Sequence, residues 1–336
     1  MLLAGPCLAG FSSDLLLFPQ LETSHRSGLD GYTHIDRNDH EASANIFATG
    51  ESGAFRFLGE FLMTSDEQEF ERLQLGWSYK RHLFWLGLFH NPIGYWNTSY
   101  HHGAYLQTSI SRPAVVEFED KGGILPTHEA GLLAEGEFDL AGRALGYKFA
   151  LASGPRFDPK LKHWDVFKPG KGLGNTSVTF NLYGDTGAAH QGRTGVFVSY
   201  QEIPAAALGY DEVRQVSSGF YGNWETFHWR WHGSAFFVQD KLERPAGWRT
   251  DAFVNAFLQA EYTPYPRCTW YGRVEKTVRD RGDAYLALFP QFVRDRLLGG
   301  LRYDFAGTSA LKVELSANHV RADNYTQVML QWSAMF

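Results

Sequence analysis

The 336-residue chain has only two cysteines, Cys7 and Cys268, too few for a disulfide framework or a clustered zinc site. It contains no CxxCH, so no covalently attached c-type haem is encoded. Basic residues are not in excess: 31 Lys and Arg stand against 37 Asp and Glu. The resulting net charge of −6 and pI of about 6.1 exclude the footprint of a nucleic-acid-binding domain. Long apolar runs are missing as well, and no stretch of about 18 apolar residues could form a membrane helix. A membrane-spanning chain of this kind would need a closed sheet, because backbone groups in hydrocarbon must pair among themselves.

What is plentiful is aromatic and turn-forming. The chain holds 26 Phe, 16 Tyr, 10 Trp and 35 Gly, a mixture suited to strands with aromatic girdles and tight turns. The clearest strand is Asn324–Phe336, NYTQVMLQWSAMF. Every second residue from Thr326 through Val328, Leu330, Trp332 and Ala334 to Phe336 falls on one apolar face. Tyr325, Gln327, Met329, Gln331, Ser333 and Met335 fall on the other. A half-buried strand of a soluble sandwich shows the same period, so alternation alone leaves both readings open.

Reading the whole chain for alternating runs between turn signals gives sixteen strands. They lie near Leu15–Thr23, Glu41–Thr49, Ala54–Thr64, Glu71–Tyr79, Leu83–His90, His128–Phe138, Arg143–Ala152, Asn175–Tyr183, Arg193–Gln201, Val216–Trp224, Phe227–Asp240, Asp251–Tyr262, Arg267–Thr277, Arg294–Phe305, Leu311–His319 and the closing strand. Every second connection, from Gly50-Glu51-Ser52-Gly53 onward, is short, and most of the others are long. A sandwich gives no reason for that alternation. A barrel with short turns at one rim and external loops at the other does.

The segment Met1–Gly10, MLLAGPCLAG, ends in an A-x-A-like Cys7-Leu8-Ala9. Residues 1–9 are therefore expected to be the remnant of a secretory signal, with 10–336 a single barrel domain. Pro6 directly before Cys7 argues against a lipoprotein signal.

The closing strand, the strand count and the long Asn91–Pro126 connection resemble the sixteen-stranded bacterial outer-membrane porins, including the phosphate-selective O/P-type branch. The resemblance implies an all-β transmembrane antiparallel barrel in the outer membrane, with the third external loop folded inward. It implies a homotrimer that meets the lipid bilayer and lipopolysaccharide. It further implies a passive channel for small hydrophilic solutes or ions, with anions such as phosphate one option. Phe336, with Trp332 and Ala334 on its face, would be the insertion signal read by the outer-membrane assembly machinery.

The same resemblance suggests a charged constriction. Glu117, Glu119 and Asp120, with Arg112, Tyr100, His101 and His102, would form the loop side. Arg230, Arg267, Arg273, Arg296, Arg302 and Lys312 would form a basic ladder on the opposite wall, giving a transverse field. Local pairing of each Arg with an inward Glu275, Asp304 or Glu314 is the competing arrangement. No cofactor or metal is expected. Tyr100-His101-His102 has no further ligand at zinc spacing, and His228 and His232, on one inward face, are too far apart for one ion. No G-x-S-x-G elbow or Ser–His grouping points to an enzyme. A sheath around a separate cytochrome is the alternative from another class, and the absence of a haem motif counts against it.

Overall fold

A computed structural model describes residues 12–29, 35–65, 67–100, 103–158, 160–167, 175–185, 191–244 and 247–336. In chain order the strands are β1 (Ser12–Ser27), β2 (Asn38–Ser52), β3 (Phe55–Thr64), β4 (Gln68–Tyr79), β5 (His82–His90), β6 (His128–Leu140), β7 (Arg143–Ser153), β8 (Arg156–Asp158), β9 (Lys160–Lys162), β10 (Thr176–Asp185), β11 (Gln191–Pro204), β12 (Glu212–Glu225), β13 (Trp229–Arg244), β14 (Gly247–Tyr265), β15 (Cys268–Val278), β16 (Asp295–Phe305), β17 (Ser309–His319) and β18 (Asn324–Ala334). All but β8 and β9 join one closed antiparallel barrel of sixteen strands. Those two form a hairpin of their own inside the connection 154–175. The signal-like segment 1–9, with Cys7, lies outside the described residues.

Closure runs from Gln20↔Ser333 to Ser27↔Thr326 between β1 and β18, and residues beyond β18 continue it. Leu17 N–H donates to the Phe336 carbonyl, and Phe336 N–H to that of Leu17, both at 2.9 Å. The seam is thus closed by backbone pairing from Leu17 to Ser27, as a span through hydrocarbon requires.

The expected faces hold. Val328 and Leu330 of the closing strand point outward and are exposed, while Gln327 and Gln331 point inward and are buried; Leu258 and Gln259 of β14 divide in the same way. Exposed Trp77, Tyr79, Trp224, Trp229, Tyr265, Trp270 and Tyr303 ring the rim that carries the short turns, forming one aromatic girdle. Turn chemistry sets that rim. Between β6 and β7, Ala141 and Gly142 have φ of 49° and 79°, the paired left-handed geometry of a type I′ hairpin. Among the described residues no helix is long and apolar enough to cross a membrane.

The core lies inside the barrel. From the connection 91–127, Ile93, Trp96, Val115, Val116, Ile124 and Leu125 pack on inward Phe197, Phe236, Phe253 and Phe257 of β11, β13 and β14, with Tyr285 beside them. Each such side chain contributes roughly 1.5–3 kcal/mol on full burial. That half of the lumen is consequently filled.

Candidate functional site

The connection 91–127, here the inner loop, leaves β5 and rejoins β6 at one point. Asn91 N–H donates to the Thr127 carbonyl at 2.8 Å, and the Asn91 amide to that of Pro126 at 3.0 Å. Asn97, in the single-turn helix α1 (Trp96–Ser99), donates to the Asn91 carbonyl at 2.7 Å. From this pinched root the loop descends into the lumen. At the second short helix, α2 (Gly103–Leu106), Tyr105 O–H reaches the Gly307 carbonyl in a turn of the opposite rim, at 3.0 Å. Gly103, at φ +56°, lies so close to Phe18 of β1 that an added Cβ would come within 2.4 Å of that side chain. The loop therefore crosses the barrel from the β12–β17 wall to β1.

The basic ladder is what docks it. Arg230 donates to Thr108 Oγ1 at 2.7 Å and to Glu261. Arg273 donates to the carbonyls of Ser111 (3.0 Å) and Arg112 (2.9 Å), to Gln259 and to Glu275. Arg296 holds the Arg112 carbonyl at 2.9 Å, and Arg302 those of Tyr105 (2.6 Å) and Gln107 (2.9 Å). Lys312 holds the Ala104 carbonyl at 2.6 Å. Wall carboxylates take the loop's donors: Glu314 accepts from Ile110 N–H at 3.0 Å and Glu275 from Ala114 N–H at 2.7 Å. Irregular backbone inside a barrel leaves unpaired polar groups, and buried groups of that kind must be satisfied. The ladder does so.

This differs from a field across water. The loop and the basic wall are in direct contact, with local pairs such as Arg273–Glu275 at 2.8 Å and Arg302–Asp304 at 2.7 Å. Arg267 is not on the wall at all. The β14–β15 ladder shifts register between Tyr262 and Tyr265, so Arg267 falls in the exposed turn with φ +75°. His228 likewise lies exposed in the turn before β13, its Nδ1 against the Thr263 carbonyl, while His232 is buried. Ala334 is buried, Trp332 half-buried and Phe336 exposed. His101 and His102 lie outside the described residues.

The acidic residues of the loop have three separate environments. Glu119 is 1% exposed, accepting from Thr127 N–H (2.6 Å), His128 N–H (3.0 Å) and the Thr127 hydroxyl, with His128 Nδ1 at 2.7 Å. Burial would raise its carboxyl, but His128, His163 and Thr127 bring it down to about 2. Asp120 is pushed the other way, by burial and then by Glu71, to about 7. Glu117 lies 3.9 Å from Arg112. Arg112 is a staple within the loop: buried over the Phe118 ring at 3.8 Å, it donates to the Tyr100 carbonyl at 2.9 Å. Burial lowers its guanidinium to about 10. The Tyr100 hydroxyl meets His232 Nε2 at 3.1 Å, and burial raises its pKa.

Between the loop and the unfilled wall runs a cavity of about 610 Å³. Its lining includes Glu22 and Arg26 of β1, Asp39, Glu41, Ser43 and Asn45 of β2, Gln327 and Gln331 of β18, and loop residues Glu117, Asp120 and Lys121. Seven carboxylates border it (Glu22, Asp36, Asp39, Glu41, Glu71, Glu117, Asp120) against five cations (Arg26, Arg112, Lys121, Lys160, Arg296). Arg112 and Arg296 are spent on loop carbonyls. Lys121 reaches across the passage to Glu41 Oε2 at 2.5 Å.

No protein-family model matches the sequence, and no curated relative does. Solved structures do match in shape. The anion-selective porin from Comamonas acidovorans is 13% identical with a TM-score of 0.63, over 97% of this chain and 100% of that one. The outer membrane channel DcaP of Acinetobacter baumannii is 13% identical with a TM-score of 0.61, over 98% of each chain. The trimer form of OmpT, an outer membrane protein of Vibrio cholerae, is 9% identical with a TM-score of 0.55, over 96% and 99%. The fold is that of the bacterial outer-membrane porins. With its exposed apolar belt and aromatic girdle, this porin-fold barrel is an integral outer-membrane architecture. The docking contacts join loop residues to walls 122 to 208 positions away, largely through backbone carbonyls. The one signal visible in sequence was the set of inward Arg and Lys residues itself.

Proposed function

We propose that this porin-fold barrel is a passive channel for small hydrophilic solutes and ions, with a preference for cations. The observation that carries it is the cavity between the docked loop and the β1–β2–β18 wall, bordered by seven carboxylates against five cations. A cavity of about 610 Å³ has room for hydrated ions and small solutes and none for a folded haem protein, which favours a channel over a cytochrome sheath. The fold supports a channel, since a porin and an outer membrane channel share it. The anion selectivity in the name of the Comamonas protein belongs to that protein. Here two of the five lining cations, Arg112 and Arg296, are engaged with loop carbonyls. Assembly as a homotrimer is part of the proposal, supported by the trimer form of the Vibrio protein. Partners in it are the bilayer and lipopolysaccharide outside the barrel and the assembly machinery during insertion.

Reversal potentials across planar bilayers under a potassium chloride gradient test it. The expected sign is cation over anion. A channel that prefers chloride overturns the selectivity, and bilayers that show no conductance overturn the channel.

A further inference from the structure

Three imidazoles gather where the inner loop leaves and rejoins the wall. His90 is the last residue of β5 and His128 the first of β6, and they are direct ladder partners. Their ring centroids lie 4.7 Å apart. His163, in the connection after β9, has its ring 4.6 Å from that of His128. A carboxylate joins them through an irregularity in β4. The β3–β4 ladder pairs Glu60 with Arg72 and Phe61 with Phe70, so Glu71 is the additional residue of a bulge. Adjacent residues of a regular strand point to opposite faces, yet Glu71 and Arg72 are 4% and 7% exposed, both inside the barrel. Arg72 pairs with Glu60 at 2.7 Å. Glu71 Oε2 lies 2.6 Å from His128 Nε2 and 3.7 Å from His90 Nε2.

One ligand atom from each of Glu71, His90 and His128 falls within 4.8 Å of the others. The second nitrogen of His128 is also accounted for, because Nδ1 meets Glu119, itself fixed by two backbone N–H groups. An imidazole that donates Nδ1–H to a carboxylate offers the lone pair of Nε2, the arrangement that orients histidine ligands of metals. That lone pair would then face a second carboxylate, Glu71. Two acceptors that close need a positive charge shared by both, either a proton on the 2.6 Å line or a metal ion beside it toward which both side chains turn.

We propose that Glu71, His90 and His128 bind a divalent transition-metal ion of the zinc class, oriented through Glu119, with the fourth position open to solvent. Two imidazole nitrogens and one carboxylate suit zinc and its first-row neighbours, whereas calcium and magnesium favour sets of oxygen alone. The His163 side chain is 8% exposed, with its Nε2 3.4 Å from Glu69 Oε2, and it groups with Glu119 and His128 rather than with Glu71 and His90. Glu71 borders the passage, and Glu119 and His163 border a second cavity of about 700 Å³, so an ion can arrive from either side. Bound there, the metal ties the end of β5 to the start of β6 and to β4. It would clamp both roots of the loop that narrows the pore. These ligands are scattered along the chain, and only the barrel brings them together.

The experiment is calorimetric titration of zinc into the chelator-treated, refolded full chain in detergent. Expected are one zinc per chain, no competition by calcium, and affinity lower by about tenfold or more in His90→Ala and Glu71→Gln. His128 bridges two buried carboxylates, so His128→Ala would leave both unpaired and is not used, and heat-modifiable mobility confirms that the other two variants fold. His40→Ala, at an exposed histidine of β2, should bind as wild type. Wild-type protein that takes up no zinc, or takes it up unchanged in both variants, overturns the site and leaves a proton on His128 as the bridging charge. Because the readout is binding, it is independent of whether the barrel conducts.

Discussion

Arg273 and Arg112 are both cations, and yet the Arg273 guanidinium donates to the Arg112 backbone carbonyl at 2.9 Å. The charge of Arg112 is turned the other way, over Phe118. This contact shows how the ladder works: the wall supplies fixed donors, and the loop supplies carbonyl oxygens with no helix or strand to satisfy them. Arg273 is fully buried and makes six hydrogen bonds through one planar fork, three of them to loop carbonyls, a geometry lysine cannot reproduce.

Replacing Arg273 should therefore release the loop. In Arg273→Met the Glu275 carboxylate keeps only Arg296 as an ionic partner, at 3.2 Å, and the Ser111 and Arg112 carbonyls each lose a charged donor, keeping only Ser109 Oγ at 3.0 Å and Arg296 at 2.9 Å. The expected cost is about 3–5 kcal/mol, the range for breaking a buried pair, read from urea unfolding of the refolded barrel. Single-channel current should become noisier as the loop moves. Unfolding that matches wild type would mean the ladder is dispensable for docking.

The two faces of the wall predict opposite tolerances. Leu258 is 48% exposed on the outer face, whereas Ser43 borders the passage. Leu258→Arg should destabilise by about 2–4 kcal/mol near the bilayer midplane. Ser43→Arg should fold normally and lower conductance by narrowing the passage. Equal stability of the two variants in liposomes would contradict the membrane face.

Much of this was legible in the sequence, for a physical reason. Facing is decided between neighbours, so Leu258 beside Gln259 and Val328 beside Gln327 announce lipid and lumen directly. Strand order followed because each hairpin joins neighbours. The site was not legible in the same way. Glu71 was read as an ordinary first residue of a strand, and nothing local marks the bulge that turns it inward next to Arg72. Arg267 was read as a strand residue because the register shift after Tyr262 depends on pairing with β15. The docking of Arg302 onto Tyr105 and Gln107 has no sequence signature, since a backbone carbonyl is the same at every residue.

Closure of the barrel gives a further test at Phe336. Its reciprocal 2.9 Å bonds with Leu17 extend the β1–β18 seam, and its exposed ring adds to the girdle. Deleting it removes both bonds and the ring. Membrane-inserted, heat-modifiable protein should fall while total expression holds. Unchanged insertion would show that the seam up to Ala334 suffices.

The last prediction concerns Lys121 and Glu41, which meet at 2.5 Å across the passage and join the inner loop to β2. Both side chains are partly exposed, so the pair adds little to stability; surface pairs are worth about 0–1 kcal/mol. Its effect is on the pore. Either Lys121→Met or Glu41→Gln breaks the clasp, and both should raise conductance. Their effects on selectivity should be opposite. Without Lys121, the Glu41 carboxylate stands uncompensated in a passage already rich in carboxylates, and the preference for cations should increase. Without the Glu41 charge, Lys121 is left unpaired at the same place, and the preference should decrease. Both shifts should shrink between about 0.1 M and 1 M salt, as the Debye length falls from about 10 Å to about 3 Å. Reversal potentials and conductance at the two salt concentrations measure all of this. Selectivity moving in the same direction in both variants, or conductance unchanged in both, would place the Lys121–Glu41 contact outside the conducting path.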